Sequence, residues 1–207
     1  MVIRLSAMAS PFELVPVPRA AVRFPLEVPI PEGFVAEEPG TWPAVEGQLE
    51  LVGGKLLYMP PCADRQQDTT ADVITTLGLW RRTHRDFVVG GNEAAMLLGG
   101  DARGADAAVW RKADVGPHEG KYRRAPPVLA VEVAGELEDE TSLRAKAGWY
   151  LSHGVEVVWL LFPETRCAVV LTTDGEQCVG RGRMPLHPSL PDLEPPLDDL
   201  FAQVDGR

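Results

Sequence analysis

Cysteine is scarce: Cys62, Cys167 and Cys178 are the only three in 207 residues, and no two form a CxxC pair. So few, and an odd number, exclude a disulfide framework and lead us to expect reduced thiols in a cytoplasmic chain. Histidine is thin as well. His84, His118, His153 and His187 lie far apart, with no two at helical ligand spacing, which argues against a histidine-built zinc site. Long apolar runs are also missing. No uncharged apolar stretch reaches the roughly 18 residues that a membrane-spanning helix needs, and MVIRLSAMASPFELVPVPRA has no sustained signal-type apolar region, so no membrane partner is expected. Positive charge is the minority sign. Twenty Lys and Arg against 30 Asp and Glu give a formal net charge of −10, which excludes a broad electrostatic grip on nucleic acid and leaves room only for a local basic surface.

What is present suits one hydrophobic core. With 45% hydrophobic and 24% charged residues, the length fits a single domain. Residues 1–43 hold eight of the 19 prolines, which withdraw backbone donors, so this part is expected to be a proline-rich N-terminal arm and residues 44–207 the domain proper. QLELVGGKLLYMPP predicts a β-hairpin turning at Gly53-Gly54. After it, Val73, Ile74, Leu77 and Trp80 fall on one face of a helix running from Asp64 to about Thr83. DFVVGGNEAAMLLGG predicts strand interrupted by glycine-rich turns; GADAAVW, VLAVEVA and VEVVWLLF predict buried strands. A second helix, about Thr141 to His153, is closed by Gly154, and CAVVLTTDGEQCVG adds a hairpin. The proline-rich PLHPSLPDLEPPLDDLF is expected to be a surface tail. The order predicts an α/β fold, one mixed sheet flanked by helices.

Within VLAVEVA stands Glu132, and a carboxylate buried without a partner costs several kcal/mol. Strand alternation puts Glu132 on a face of small residues, and likewise puts Asp106 of GADAAVW beside Ala108 and Trp110. On the following helix, Leu143, Ala147, Tyr150 and Leu151 form an apolar stripe with Lys146 at its edge, turned toward the sheet. Convergence of Asp106, Glu132 and Lys146 would give two hard oxygen ligands suited to Mg²⁺ and an ammonium group suited to a phosphate. The bland readings stay open: structural carboxylates for Asp106 and Glu132, a lysine stem covering apolar surface for Lys146, and core aromatics for Trp149 and Tyr150. The clusters RRTHR (residues 81–85) and KYRR (residues 121–124), with Arg103, Arg111 and Lys112, are candidates for a basic rim.

An Asp, then EVA 26 residues later, then RAKxxxYLxxGVxxxW resembles the Uma-two family of restriction endonuclease-like proteins, a branch of the PD-(D/E)XK nuclease superfamily. The resemblance spans the ELVGGKLLYMPP hairpin through LPDLEPPLDDLF. It implies a restriction-endonuclease-like mixed sheet flanked by helices, with added hairpins. Function follows as hydrolysis of phosphodiester bonds in nucleic acid, DNA above all, with Mg²⁺ as cofactor and Mn²⁺ as substitute. It places Asp106 and Glu132 as metal ligands and Lys146 as the assisting lysine, since Ala134 fills the usual Lys position of ExK. Glu50, in the hairpin arm, matches a common family glutamate and is a further candidate site residue. A homodimer fits duplex cutting by two sites related by a two-fold axis. The alternative is a catalytically silent nuclease-fold protein serving as a binding or assembly module, which the acidic charge and the unusual Ala105 and Gly135 beside the motif favour.

Overall fold

The computed structural model describes residues 22, 24–118, 122–136, 138 and 140–204. Residues 1–21 and 23 of the arm, with Pro11, Pro16 and Pro18, and Lys121 of the second basic cluster, lie outside the described residues. In chain order the elements are β1 (Leu26–Val28), β2 (Gln48–Val52), β3 (Lys55–Met59), α1 (Asp64–Arg81), β4 (Phe87–Leu98), β5 (Asp101–Arg111), β6 (Leu129–Val133), α2 (Glu140–Ser152), β7 (Val157–Phe162), β8 (Cys167–Thr172) and β9 (Gly175–Val179). Short 3₁₀ turns cover Pro39–Thr41 and Leu197–Phe201. No helix among the described residues is long and apolar enough to cross a membrane.

The strands form one nine-stranded mixed sheet in the order β1-β3-β2-β5-β6-β7-β8-β9, with β4 paired on the other edge of β5. β2 and β3 are the hairpin expected around Gly53-Gly54, and β1 pairs with β3. β6 and β7 run parallel, joined by the α2 crossover. The run VEVVWLLF, expected to be a buried strand, supplies β7 in the middle of the sheet, between β6 and β8.

Alternation sorts the side chains into two cores. On one face Val109, Val131 and Trp159 pack against Val73, Leu77 and Trp80 of α1; on the other Ala108, Ala130 and Leu160 pack against Leu143, Ala147 and Tyr150 of α2. Two expectations need correction. The C-terminal stretch is not a surface tail: Leu190, Leu193, Leu197, Leu200 and Phe201 are buried in the α1-side core. Their burial outweighs the prolines, which merely hold the segment extended enough to lay one apolar residue after another onto α1.

Nor do Gly90 and Gly91 make a turn. β4 runs straight through them, because a Cβ on Gly91 would stand 2.3 Å from Ile74 Cδ1 and one on Gly90 2.8 Å from the Trp110 ring. These glycines let α1 and an indole approach the strand closely. The turn lies at Gly99-Gly100 instead.

β5 positions everything that follows. Its β4 edge is paired along nearly the whole strand, but the opposite edge is shared: β2 meets it at Ala102 and β6 at residues 107–109. Residues 103–106 therefore face a gap where β2 and β6 diverge. Their backbone groups need partners from side chains, since orphaned buried amides and carbonyls are costly.

Candidate active site

The gap is filled by charged groups. Gly104 donates its N–H to Glu50 Oε1 at 3.3 Å, while its carbonyl accepts from Lys146 Nζ at 2.8 Å and from the Tyr150 hydroxyl at 3.1 Å. Past the end of the β5–β6 ladder, the Val133 N–H donates to Asp106 Oδ2 at 2.7 Å. The split in the sheet thus recruits Glu50, Asp106, Lys146 and Tyr150 to one place.

Glu132 has two partners. Lys146 Nζ bonds Oε2 at 2.9 Å, and the Tyr150 hydroxyl, whose single proton is shared with the Gly104 carbonyl, donates to Oε1 at 2.7 Å. Lys146 also lies 3.0 Å from Glu50 Oε1, so its three N–H groups serve Glu132, Glu50 and Gly104. Arg103 Nε holds Glu50 Oε2 at 2.9 Å and stacks over Trp149, 5.2 Å from the ring centroid. The structure therefore brings together all four side chains singled out from sequence, Glu50, Asp106, Glu132 and Lys146. The three carboxylates are 5%, 9% and 3% exposed, in that order. They line a cavity of about 640 Å³ that also takes in Cys62 and Glu93.

Charge does not balance here. Three buried carboxylates face two cations, and the site carries one uncompensated negative charge when all are ionised. Burial opposes ionisation of Glu50, but Lys146 and Arg103 overcome it and hold its carboxyl below the ordinary range. Burial pushes Glu132 up to about 8; Lys146 reverses only part of this, and Asp106 and Glu50 add to the rise. Asp106 goes up to about 7, by burial first and then by the charge of Glu93, against the pull of the Val133 N–H. Burial alone would lower Lys146, yet Glu132 and Glu50 outweigh it and raise it well above the usual lysine value.

A stability signature follows. Asp106 and Glu132 have folded-state values above their unfolded ones, so between pH 4 and 8 the folded chain binds more protons and their contribution falls as pH rises. Melting temperature in EDTA is expected to drop by several degrees between pH 6 and 9. A scanning-calorimetry series showing a flat or rising profile would contradict the charge excess.

Among the described residues no three His, Cys, Asp or Glu side chains cluster closely enough to cage an ion. The donor set still fits a hard divalent cation. One Asp106 oxygen is taken by Val133, while the other accepts no hydrogen bond among the described residues, and the surplus charge sits on oxygen ligands alone. Two carboxylates with the remaining positions left to water and phosphate match the habit of Mg²⁺.

Three features escaped the reading of the sequence. Tyr150 was open as a core aromatic; it is buried, but its hydroxyl serves Glu132 and Gly104, and its place one turn beyond Lys146 on the same stripe was the available signal. Arg103, grouped with a basic rim, is turned inward onto Glu50, and Arg111 is held by Glu156 at 2.6 Å. Glu93 carried no signal, because its position depends on a strand irregularity that alternation does not foresee.

Comparison with known proteins agrees with this architecture. A crystal structure described as a putative nuclease belonging to DUF820 from Anabaena variabilis ATCC 29413 superimposes with a TM-score of 0.70 at 16% identity, covering 79% of this chain and 94% of the other. That likeness speaks for the fold, the restriction-endonuclease-like α/β arrangement of a mixed sheet between helices. No curated protein matches the chain. The family model Uma2, described as "Putative restriction endonuclease", matches residues 36–201, and the chain belongs to that family.

Proposed function

We propose that the protein is a Mg²⁺-dependent endonuclease that hydrolyses phosphodiester bonds of DNA at the Asp106–Glu132–Lys146 cluster. The observation that carries this reading is the buried charge excess around Asp106, which lines the cavity and whose second oxygen accepts no hydrogen bond among the described residues. Family membership supports it, since a nuclease-type family implies a nucleic-acid substrate.

Asp106 and Glu132 would hold the ion, which when bound supplies Lewis acidity toward a phosphoryl oxygen and lowers the pKa of water. Lys146 neutralises charge that builds on the phosphate as water adds and the bridging P–O bond breaks, a group already ionised and dehydrated for the task. Glu50 and Tyr150 position it: Glu50 holds the ammonium from one side, and Tyr150 fixes the Glu132 carboxylate that faces it. Arg103 keeps Glu50 ionised. Residues 44–207 would form the nuclease unit, and two copies related by a two-fold axis would cut both strands of a duplex.

A second reading is favoured by one observation. All three Lys146 donors are already spent within the protein, as expected of a catalytically silent binding or assembly module that uses the lysine only to neutralise Glu132. Incubation with supercoiled plasmid, linear duplex and single-stranded RNA separates the two. Cleavage of DNA in Mg²⁺ or Mn²⁺, absent in EDTA and reduced on the order of 10³-fold in Glu132→Gln, is the expected result. Absence of cutting on every substrate and with both metals supports the silent module.

A further inference from the structure

An arginine side chain has many rotamers, and it keeps one of them only where its surroundings hold the guanidinium as well as its charge partner does. Arg103 is such a case. Its side chain is 11% exposed, with Nε 2.9 Å from Glu50 Oε2, and its Cζ lies over the indole of Trp149, 5.2 Å from the ring centre. The indole is itself fixed. Its Nε1–H donates to Asp101 Oδ2 at 2.8 Å, and its ring stacks on His153 with 4.2 Å between centres and 27° between planes. Asp101 Oδ1 accepts the Gly53 N–H at 2.8 Å. One carboxylate at the start of β5 therefore ties the turn of the β2–β3 hairpin, which carries Glu50, to the α2 residue on which Arg103 rests.

The two oxygens of Glu50 are divided between partners. Oε2 meets Arg103, while Oε1 meets Lys146 Nζ at 3.0 Å and the Gly104 N–H at 3.3 Å. Lys146 in turn stands between Glu50 and Glu132, 3.0 Å from one and 2.9 Å from the other. With the guanidinium swung away, Glu50 would lose one of its two cations in a buried place and compete harder with Glu132 for the single ammonium. The place of Arg103 thus sets the place of Lys146. Trp149 follows Lys146 by three residues on α2, so the lysine and the support of its rival carboxylate project from one helical neighbourhood and hold a fixed relation.

We infer that Trp149, fixed by Asp101, is a positioning residue: it keeps Arg103 on Glu50 and so keeps the Lys146 ammonium at the Glu132 carboxylate. The inference rests on the reading of Lys146 as the group that meets charge on the phosphate. Trp149 lines the cavity, half-buried, yet its part is played through Arg103 and Glu50 rather than on the reacting atoms. An aromatic that only covered apolar surface would leave the guanidinium free to choose its own rotamer. Here the ring gives a cation a flat seat, and the seat is tied at its edge to the hairpin that bears the cation's partner.

The test compares the full chain as wild type, Trp149→Phe and Trp149→Leu. Phe keeps a ring for the guanidinium, whereas Leu keeps bulk without a ring. The first readout needs no activity: the Arg103 Nε–H signal in proton–nitrogen correlation spectra, assigned by its absence in Arg103→Lys. Expected is slow exchange with water in wild type and in Trp149→Phe, and exchange at least about tenfold faster in Trp149→Leu. The second is DNA cleavage, with kcat about tenfold to a hundredfold lower in Trp149→Leu, KM within about twofold, and most of the rate restored in Trp149→Phe. An Arg103 signal unchanged in Trp149→Leu would overturn the inference. Equal losses in the Phe and Leu variants would overturn it too, by tracing the effect to the indole N–H alone. A wild type that cuts no nucleic acid, with the Arg103 signal moving as expected, would overturn the nuclease reading and the catalytic purpose of Trp149 while its hold on Arg103 stands.

Discussion

Replacing Lys146 with alanine is expected to destabilise the protein by about 3–5 kcal/mol at pH 8 and to lower its melting temperature by about 10 °C. The lysine is the shared counter-ion of Glu132 and Glu50, and both lie in the interior. Its removal leaves Glu132 with a phenolic hydroxyl for company and Glu50 with Arg103 and the Gly104 N–H. Removing one partner of a buried pair costs far more than the pair contributes, because the remaining charge has lost its water and its neutraliser together. The deficit should shrink at pH 5, where Glu132 takes up a proton and no longer needs one. In the nuclease reading DNA cleavage also falls by about 10²-fold or more, since no other cation takes the place of Lys146 beside Glu132. Thermal melts at both pH values, with cleavage rates measured below the melting range, separate the stability loss from the chemical one.

Asp106→Asn is expected to do the opposite to stability while abolishing function. The Asn side-chain carbonyl can still accept the Val133 N–H, so the β6 contact survives, and the surplus negative charge is gone. With the Asp106 carboxyl pushed up to about 7, the wild type loses stability as pH rises from the ordinary aspartate value to about 7, and no further above it. The variant should therefore gain about 1–3 kcal/mol at pH 8, or some 2–6 °C, a smaller gain at pH 5, and none near pH 3, where the unfolded group is protonated too. Cation binding and DNA cleavage should both be lost. A gain in stability bought with activity is the mark of a site strained for function. Loss of stability at pH 8 would instead make Asp106 a structural carboxylate and remove the main support for a metal site.

Much of the site was readable because it sits on regular elements. Glu132 and Asp106 each interrupt an apolar strand among small neighbours, and Lys146 borders an apolar helical stripe, so periods of 2 and 3.6 residues suffice to face them toward one another. Glu50 followed from its place in the hairpin, through family resemblance rather than alternation. What regular periods do not convey is where strands part. The divergence of β2 and β6 along β5 exposes the Gly104 backbone, and this alone explains why Tyr150 and Lys146 both reach its carbonyl. The bulge that carries Glu93 shifts alternation by one residue and is invisible to any count of period 2. Arg103 looked like a rim cation because sequence neighbours with the same charge suggest a patch, but a buried carboxylate on the neighbouring strand β2 claimed it.

The C-terminal stretch teaches a related point. Proline content argued for a surface tail, yet Leu190, Leu193, Leu197 and Leu200 recur every three or four residues and, with Phe201, are buried in the α1-side core. Proline forbids helix and ladder; it does not forbid burial. Spacing of the apolar residues was the better guide there.

The central claim is that the surplus charge at Glu132 and Asp106 is met by a divalent cation. Calorimetric titration of Mn²⁺ into the wild type and into Glu132→Gln tests it most directly. Binding of one or two ions by the wild type, lost or weakened at least about tenfold in the variant, is the predicted result. Equal binding by both proteins, or none by either, would contradict it and leave Lys146 as the sole answer to the charge on Glu132.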